Sequence, residues 1–201
     1  MTYVARFVSL AVATVHAPAS TTGTLPATSH LAAIGMLVAE RRCEQDWRFS
    51  LHTHAVGAGD GEDRLLAWAT GVLPDSGIVI GWKLAEAVLP PLLDAGATGD
   101  PEISRAFLDQ LLKLVTAPSV DLALPHGGAG AAPLQTVAGR HGIALGAMTE
   151  GEIESAWAFG NRRLLAGHVE DCTVATWRLW LAEANGVAAA ASQAFESWLR
   201  T

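Results

Sequence analysis

His168 and Cys172 are side chains able to do acid–base or nucleophilic work. They lie four residues apart in RRLLAGHVEDCTVATWRLWLAEANG. The apolar spacing of that stretch predicts one long helix from about Asn161 to Ala184, stopped near Asn185–Gly186. Residues four apart share a helix face, so the imidazole and the thiol point the same way. A histidine so placed is a general base when a substrate proton is within reach. Cysteine is a soft ligand and suits a hard Mg²⁺ poorly, because that ion takes carboxylate oxygen. Glu170 and Asp171 lie between the two. Asp171 is about 100° around the helix from Cys172 and meets it only if the helix turns or the register shifts. The plain reading of Asp171 is a solvated carboxylate, and that of His168 a solvated or capping histidine. The reactivity of Cys172 depends on its exposure and on nearby charge.

Other residues carry weaker chemistry. His52 and His54 alternate on one face of a predicted strand, but a metal needs a third donor and none is nearby in sequence. PHGGAGAAP is rich in glycine, yet it lacks GxxxxGK[ST] and the strand–turn–helix frame of a phosphate loop, so it reads as a flexible linker. There is no GxSxG nucleophile elbow. The chain has seven tryptophans. Bases can stack on such rings, but core packing or a subunit interface is the plainer use.

Composition narrows the classes. A chain of 201 residues, half of them hydrophobic and 16% charged, reads as a single folded domain over 1–201. Its abundant Ala and Gly have the look of a GC-rich bacterial coding bias. The net charge is −7, with only 13 Lys and Arg. These are scattered apart from Arg41–Arg42 and Arg162–Arg163, which weakens any reading as a phosphate-backbone binder. Cys43 and Cys172 are the only cysteines, so both read as free thiols in a reducing, cytoplasmic setting, with no zinc motif. No apolar run reaches the length of a membrane span, so no membrane partner is expected. Arg6, FVSLAVATV and HAPAS loosely fit a short signal peptide. The β-rich run, bounded by Pro18 and a Ser/Thr cluster, reads better as a buried strand.

The elements that would position these residues follow from periodicity. Strands are expected at Tyr3 to Thr14, Ala32 to Glu40 and Asp46 to Val56, with a loop from Ala17 to His30. Short connections make these three an antiparallel meander. A helix follows at Glu62 to Gly71, then a buried strand at Ser76 to Trp82. A helix at Leu84 to Ala95 must be interrupted or bent by Pro90 and Pro91. Ile103 to Val115 is amphipathic, and Val120 to Leu124 is a strand or an extended segment. Helices are expected at Leu134 to His141, at Thr149 to Phe159 with a Thr149/Glu152 capping box, and at Ala188 to Arg200. This order suits an α/β mixed sheet, an antiparallel meander plus parallel strands, flanked by helices.

From Tyr3 to Gly186, and most clearly from Leu134 onward, the chain resembles the predicted 3′–5′ exonucleases related to the proofreading domain of family B DNA polymerases. LQTVAGRHGIALG looks like that family's helix and turn, and Thr176 with WRLWLA matches the end of its closing helix. The resemblance implies a ribonuclease H-like fold. In active members four carboxylates hold two Mg²⁺ or Mn²⁺ ions, which activate water and stabilise the leaving oxygen. The first strand ends there in Asp-x-Glu-Thr, where this chain has Ala11, Val12, Ala13 and Thr14. The second motif is an Asn followed by Phe-Asp-x-Pro. Here Gly81, Leu89 and Pro90 are kept, while Lys83, Ala87 and Val88 replace the Asn, Phe and Asp. On the closing helix His168 takes the tyrosine position and Cys172 the aspartate position.

The resemblance therefore implies a vestigial site at Ala11, Ala13, Val88, His168 and Cys172, with no metal or other cofactor. Lys83 would repel cations there and, with Trp82, could contact an anion; the plain alternative is a lysine snorkelling from a helix start. The expected function is a catalytically inactive exonuclease homologue. It would act as a binding or scaffold protein for a single-stranded nucleic acid, a nucleotide or a protein, or as a homo-oligomeric subunit. The alternative is a working 3′–5′ exonuclease whose Mg²⁺ or Mn²⁺ is held by relocated ligands, with Glu86, Glu170 and Asp171 as the candidates.

Overall fold

The computed structural model describes residues 5–17, 28–43, 45–184 and 188–201. Three long strands are built first: β1 (Ala5–Ala17), β2 (Thr28–Arg41) and β3 (Trp47–Ala55). They pair antiparallel in sequence. Helix α1 (Glu62–Val72) then leads to β4 (Ile78–Gly81), which pairs parallel to the other side of β1. A π-helical turn (Leu84–Val88), α2 (Leu89–Thr98) and α3 (Pro101–Val115) lead to β5 (Ser119–Asp121), parallel to β4. The result is a five-stranded mixed sheet in the order β3-β2-β1-β4-β5. The rest is helical: α4 (Leu134–Arg140), α5 (Glu150–Ala158), α6 (Arg162–Glu183) and α7 (Ala188–Trp198).

Strand alternation divides the core. Val8, Leu10, Ile34, Met36, Val38 and Val79 point to one face, where Leu65, Leu66, Leu92, Phe107 and Leu111 of α1, α2 and α3 cover them. Phe7, Leu37, Ala39 and Ile80 point to the other face, against Trp177 and Leu179 of α6 and Phe195 of α7. Ala13, Val15 and Ala33 continue that second face, under Ala156 of α5 and Leu165 and Val169 of α6.

Helix α6 lies very close to the sheet. A β-carbon added at Gly35 would sit 2.6 Å from both Thr173 Oγ1 and the Val169 carbonyl oxygen. Ser9, fully buried on β1, donates from Oγ to the Thr173 carbonyl at 2.9 Å. Thr173 in turn donates its hydroxyl to the Val169 carbonyl.

Several boundaries differ from the expectations. β1 continues past Thr14 to Ala17, and β2 begins at Thr28 rather than Ala32, because the two pair with each other to their ends. A register shift between Ala13 and Thr14 absorbs the irregularity. The ends of the expected Ala17-to-His30 loop are thus strand, and its middle lies outside the described residues. The expected helix from Leu84 divides at Leu89, which places Pro90 and Pro91 in the first turn of α2. Missing amide hydrogens cost little there. α3 starts two residues early because Asp100 caps it, accepting from the amides of Glu102 and Ile103. PHGGAGAAP is not a featureless linker. It folds into two successive 3₁₀ turns at Leu124–His126 and Gly128–Gly130, with Gly127 and Gly128 at positive φ. The Thr149/Glu152 capping box is present as expected. The expected stop at Asn185–Gly186 lies outside the described residues.

The contact at Gly35 makes a direct prediction. Gly35→Ala pushes a methyl group against a backbone carbonyl that cannot rotate away, and overpacking of this kind costs about 1–3 kcal/mol. Urea denaturation should show a lower midpoint with little change in slope.

Candidate functional site

Of the residues singled out by type and spacing, the fold brings one pair together. His168 and Cys172 lie on α6 with the thiol sulfur 3.8 Å from His168 Nε2. The Met148 amide donates to His168 Nδ1 at 3.3 Å. That bond requires a lone pair on Nδ1, so in the neutral ring the proton sits on Nε2. His168 thus ties α6 to the segment entering α5.

The electrostatics keep both groups neutral. Burial lowers the His168 pKa below its ordinary value, and the Asp171 charge only partly opposes this. Burial, assisted by the Asp171 carboxylate, pushes the Cys172 thiol up to about 12. A thiolate–imidazolium pair needs the opposite shifts. While Met148 holds Nδ1, His168 also has no free lone pair to serve as a base. Asp171 is exposed and borders a shallow groove with Gly146, Met148, Arg163, Leu164 and His168.

The other positions that the resemblance matches to metal ligands are buried. Ala11 and Ala13 are buried on β1, Ala11 paired with Gly35 of β2 and Ala13 packed with Val169 of α6. Val88 is buried too, but in the core on the other side of the sheet, with Leu84, Leu92 and Phe107. These positions therefore do not line one common cavity. Glu86 is exposed on the π-helical turn and Glu170 is exposed on α6. Among the described residues no three His, Cys, Asp or Glu side chains lie close enough to hold a metal ion, so Glu86, Glu170 and Asp171 do not gather into a relocated site. His52 and His54 form no such group either; the His54 ring stacks on Trp68 at 5.2 Å.

Lys83 and Trp82 stand where β4 ends. Lys83 is the one non-glycine at positive φ among the described residues (φ 51°, ψ 48°), and it opens the π-helical turn. Its ammonium donates to the Ala129 carbonyl at 3.0 Å and so ties the end of β4 to the glycine-rich loop. The Asp121 carboxylate at the end of β5 accepts from the Ala85 and Ala123 amides. Trp82 meets the His126 ring at 5.7 Å. His126 Nε2 lies 2.7 Å from a Glu183 carboxylate oxygen, and His141 Nε2 lies 3.7 Å from the same oxygen. Sequence spacing carried no sign of this bridge, whose members are 57 residues apart in one case. Every tryptophan packs on a ring of the chain itself, the remaining partners being His30 for Trp157 and the Phe7–Phe49–Phe195 cluster for Trp47, Trp177, Trp180 and Trp198. Trp47 and Trp177 are buried, and the other five are half-buried.

Comparison of the chain with protein-family models, with curated proteins and with solved structures finds no match. Among the described residues no helix is long and apolar enough to cross a membrane.

Two outcomes are expected. Iodoacetamide at mildly alkaline pH should label exposed Cys43 and leave Cys172 unmodified, as read by peptide mass mapping; Cys172 should react only as the pH approaches about 12 or once the chain unfolds. The folded chain also resists protonating His168, while the unfolded chain does not. Its contribution to stability is therefore present above the ordinary value of 6.5 and is lost as pH falls through the lower folded value. Urea midpoints across that range should fall less steeply for His168→Gln than for the parent.

Proposed function

We infer that this chain is a non-catalytic binding or scaffold protein built on the frame of a ribonuclease H-like 3′–5′ exonuclease. The observation that carries the reading is the state of the four ligand positions. Ala11 and Ala13 are buried on the α6 face of the sheet, Val88 is buried in the separate core on the other face, and Cys172 holds a neutral thiol against His168. Two-ion phosphodiester hydrolysis needs anionic oxygen ligands to hold the metals and offset their charge. Apolar packing at three positions and an un-ionised thiol at the fourth supply none. The frame itself supports the family reading. An antiparallel β1–β2–β3 meander, β4 and β5 parallel to β1, and a closing helix laid across β1, β2 and β3 agree with the order expected of that fold.

The ligand class this reading favours is a single-stranded nucleic acid or a nucleotide. Its recognition would be weakly electrostatic, given the net charge of −7 and the tryptophans committed to internal packing. The reading requires no Mg²⁺ or Mn²⁺.

The test is degradation of a 3′-labelled single strand with excess Mn²⁺, run beside a Glu170→Ala/Asp171→Ala double variant. Neither protein should shorten the strand above background. Shortening by the parent that the double variant abolishes would place a working metal site at those carboxylates and overturn the proposal. Fluorescence anisotropy of the same strand then measures binding without chemistry.

A further inference from the structure

The sheet ends on one side in β3, an edge strand nine residues long. The opposite edge, β5, has three residues. Strand geometry directs the backbone N–H and C=O groups of alternate β3 residues away from β2. Among the described residues, nothing outside the β2 ladder hydrogen-bonds to those groups. Folded chains usually protect such an edge with a lysine, a proline, a bulge or a very short strand. WRFSLHTHA has neither lysine nor proline, and its register with β2 runs unbroken from Ala33↔Ala55 to Arg41↔Trp47. Arg48 is its only formal charge.

We propose that β3 pairs antiparallel with β3 of a second copy of this chain, joining the two sheets into one across a two-fold axis. The edge is its own complement in that arrangement. With the axis at Leu51, all nine residues find partners. Leu51 faces its own copy, Phe49 faces Thr53 and Trp47 faces Ala55 on one side of the sheet. Ser50 faces His52 and Arg48 faces His54 on the other. No two formal charges of like sign meet, which a cross-strand pairing requires. Phe49 and Leu51 are half-buried in the isolated chain, already leaning on the aromatic core, and pairing covers them further.

Sedimentation equilibrium at micromolar concentration, with hydrogen exchange on the same samples, tests this. The parent should show twice the chain mass, and the amides of residues 47–55 should gain protection as concentration rises. Ser50→Lys/His52→Lys sets ammonium groups opposite one another twice across the axis. This variant should sediment at the mass of one chain with an unchanged far-ultraviolet circular dichroism spectrum. Ser50→Thr/His52→Gln should remain dimeric. A monomeric parent overturns the proposal, and so does a dimer that the lysine variant leaves intact. If the lysine variant fails to fold, the concentration dependence of β3 amide protection in the parent decides alone. A monomeric parent protected only by an added peptide of residues 47–55 assigns the edge to a foreign strand and also overturns the dimer.

Discussion

The closeness of α6 to the sheet governs the rest of this structure. The helix approaches β2 until no side chain fits between Gly35 and the Val169–Thr173 turn. Only glycine allows the approach, and the polar groups caught in it satisfy one another: Ser9 to the Thr173 carbonyl, Thr173 to the Val169 carbonyl. Burying those hydroxyls unpaired would cost more than the packing returns. From this seam the helix extends both ways. Its first half packs with Ala156 of α5 over Ala13 and Val15, and its second half carries Trp177 into the aromatic cluster that seats α7 through Phe195. A bidentate Arg178–Glu196 pair fastens α7 from the rim.

The same seam sets the chemistry of the region. A helix pressed this tightly onto the sheet leaves Cys172 and His168 short of water. Desolvation favours the neutral form of each, raising the thiol and lowering the imidazole. Two carboxylates on β1 at Ala11 and Ala13 would face burial under the same cover, a state tolerated only with cations alongside. Small apolar residues remove that requirement. Small apolar residues at Ala11 and Ala13 and close packing of the helix are thus mutually consistent, and together they form a second hydrophobic core.

At the far side of the sheet, strain and polar bonds are spent on a different task. Lys83 holds an uncommon left-handed conformation at the exit of β4, and its ammonium reaches the Ala129 carbonyl. Asp121 ties the next strand to the π-helical turn, and Glu183 of α6 meets His126 and His141. These contacts anchor the glycine-rich segment, which has few side chains of its own with which to pack.

The sequence by itself determined the element order, the meander, the capping box at Thr149, the long helix through His168 and Cys172, and the absence of carboxylates at Ala11, Ala13, Val88 and Cys172. Those are matters of periodicity, local hydrogen bonding and residue type, which act over a few residues. It also placed His168 and Cys172 on one face, because helix geometry alone does that. Tertiary structure decided the surroundings: that Met148 occupies the histidine's lone pair, that Val88 packs on the opposite side of the sheet from Ala13, and that Lys83 bonds to the Ala129 carbonyl. It decided too that β1 and β2 pair out to Ala17 and Thr28, where local composition had favoured a loop. Such outcomes depend on groups tens of residues apart meeting in space, and burial, the term that sets charge state and accessibility, exists only once they do.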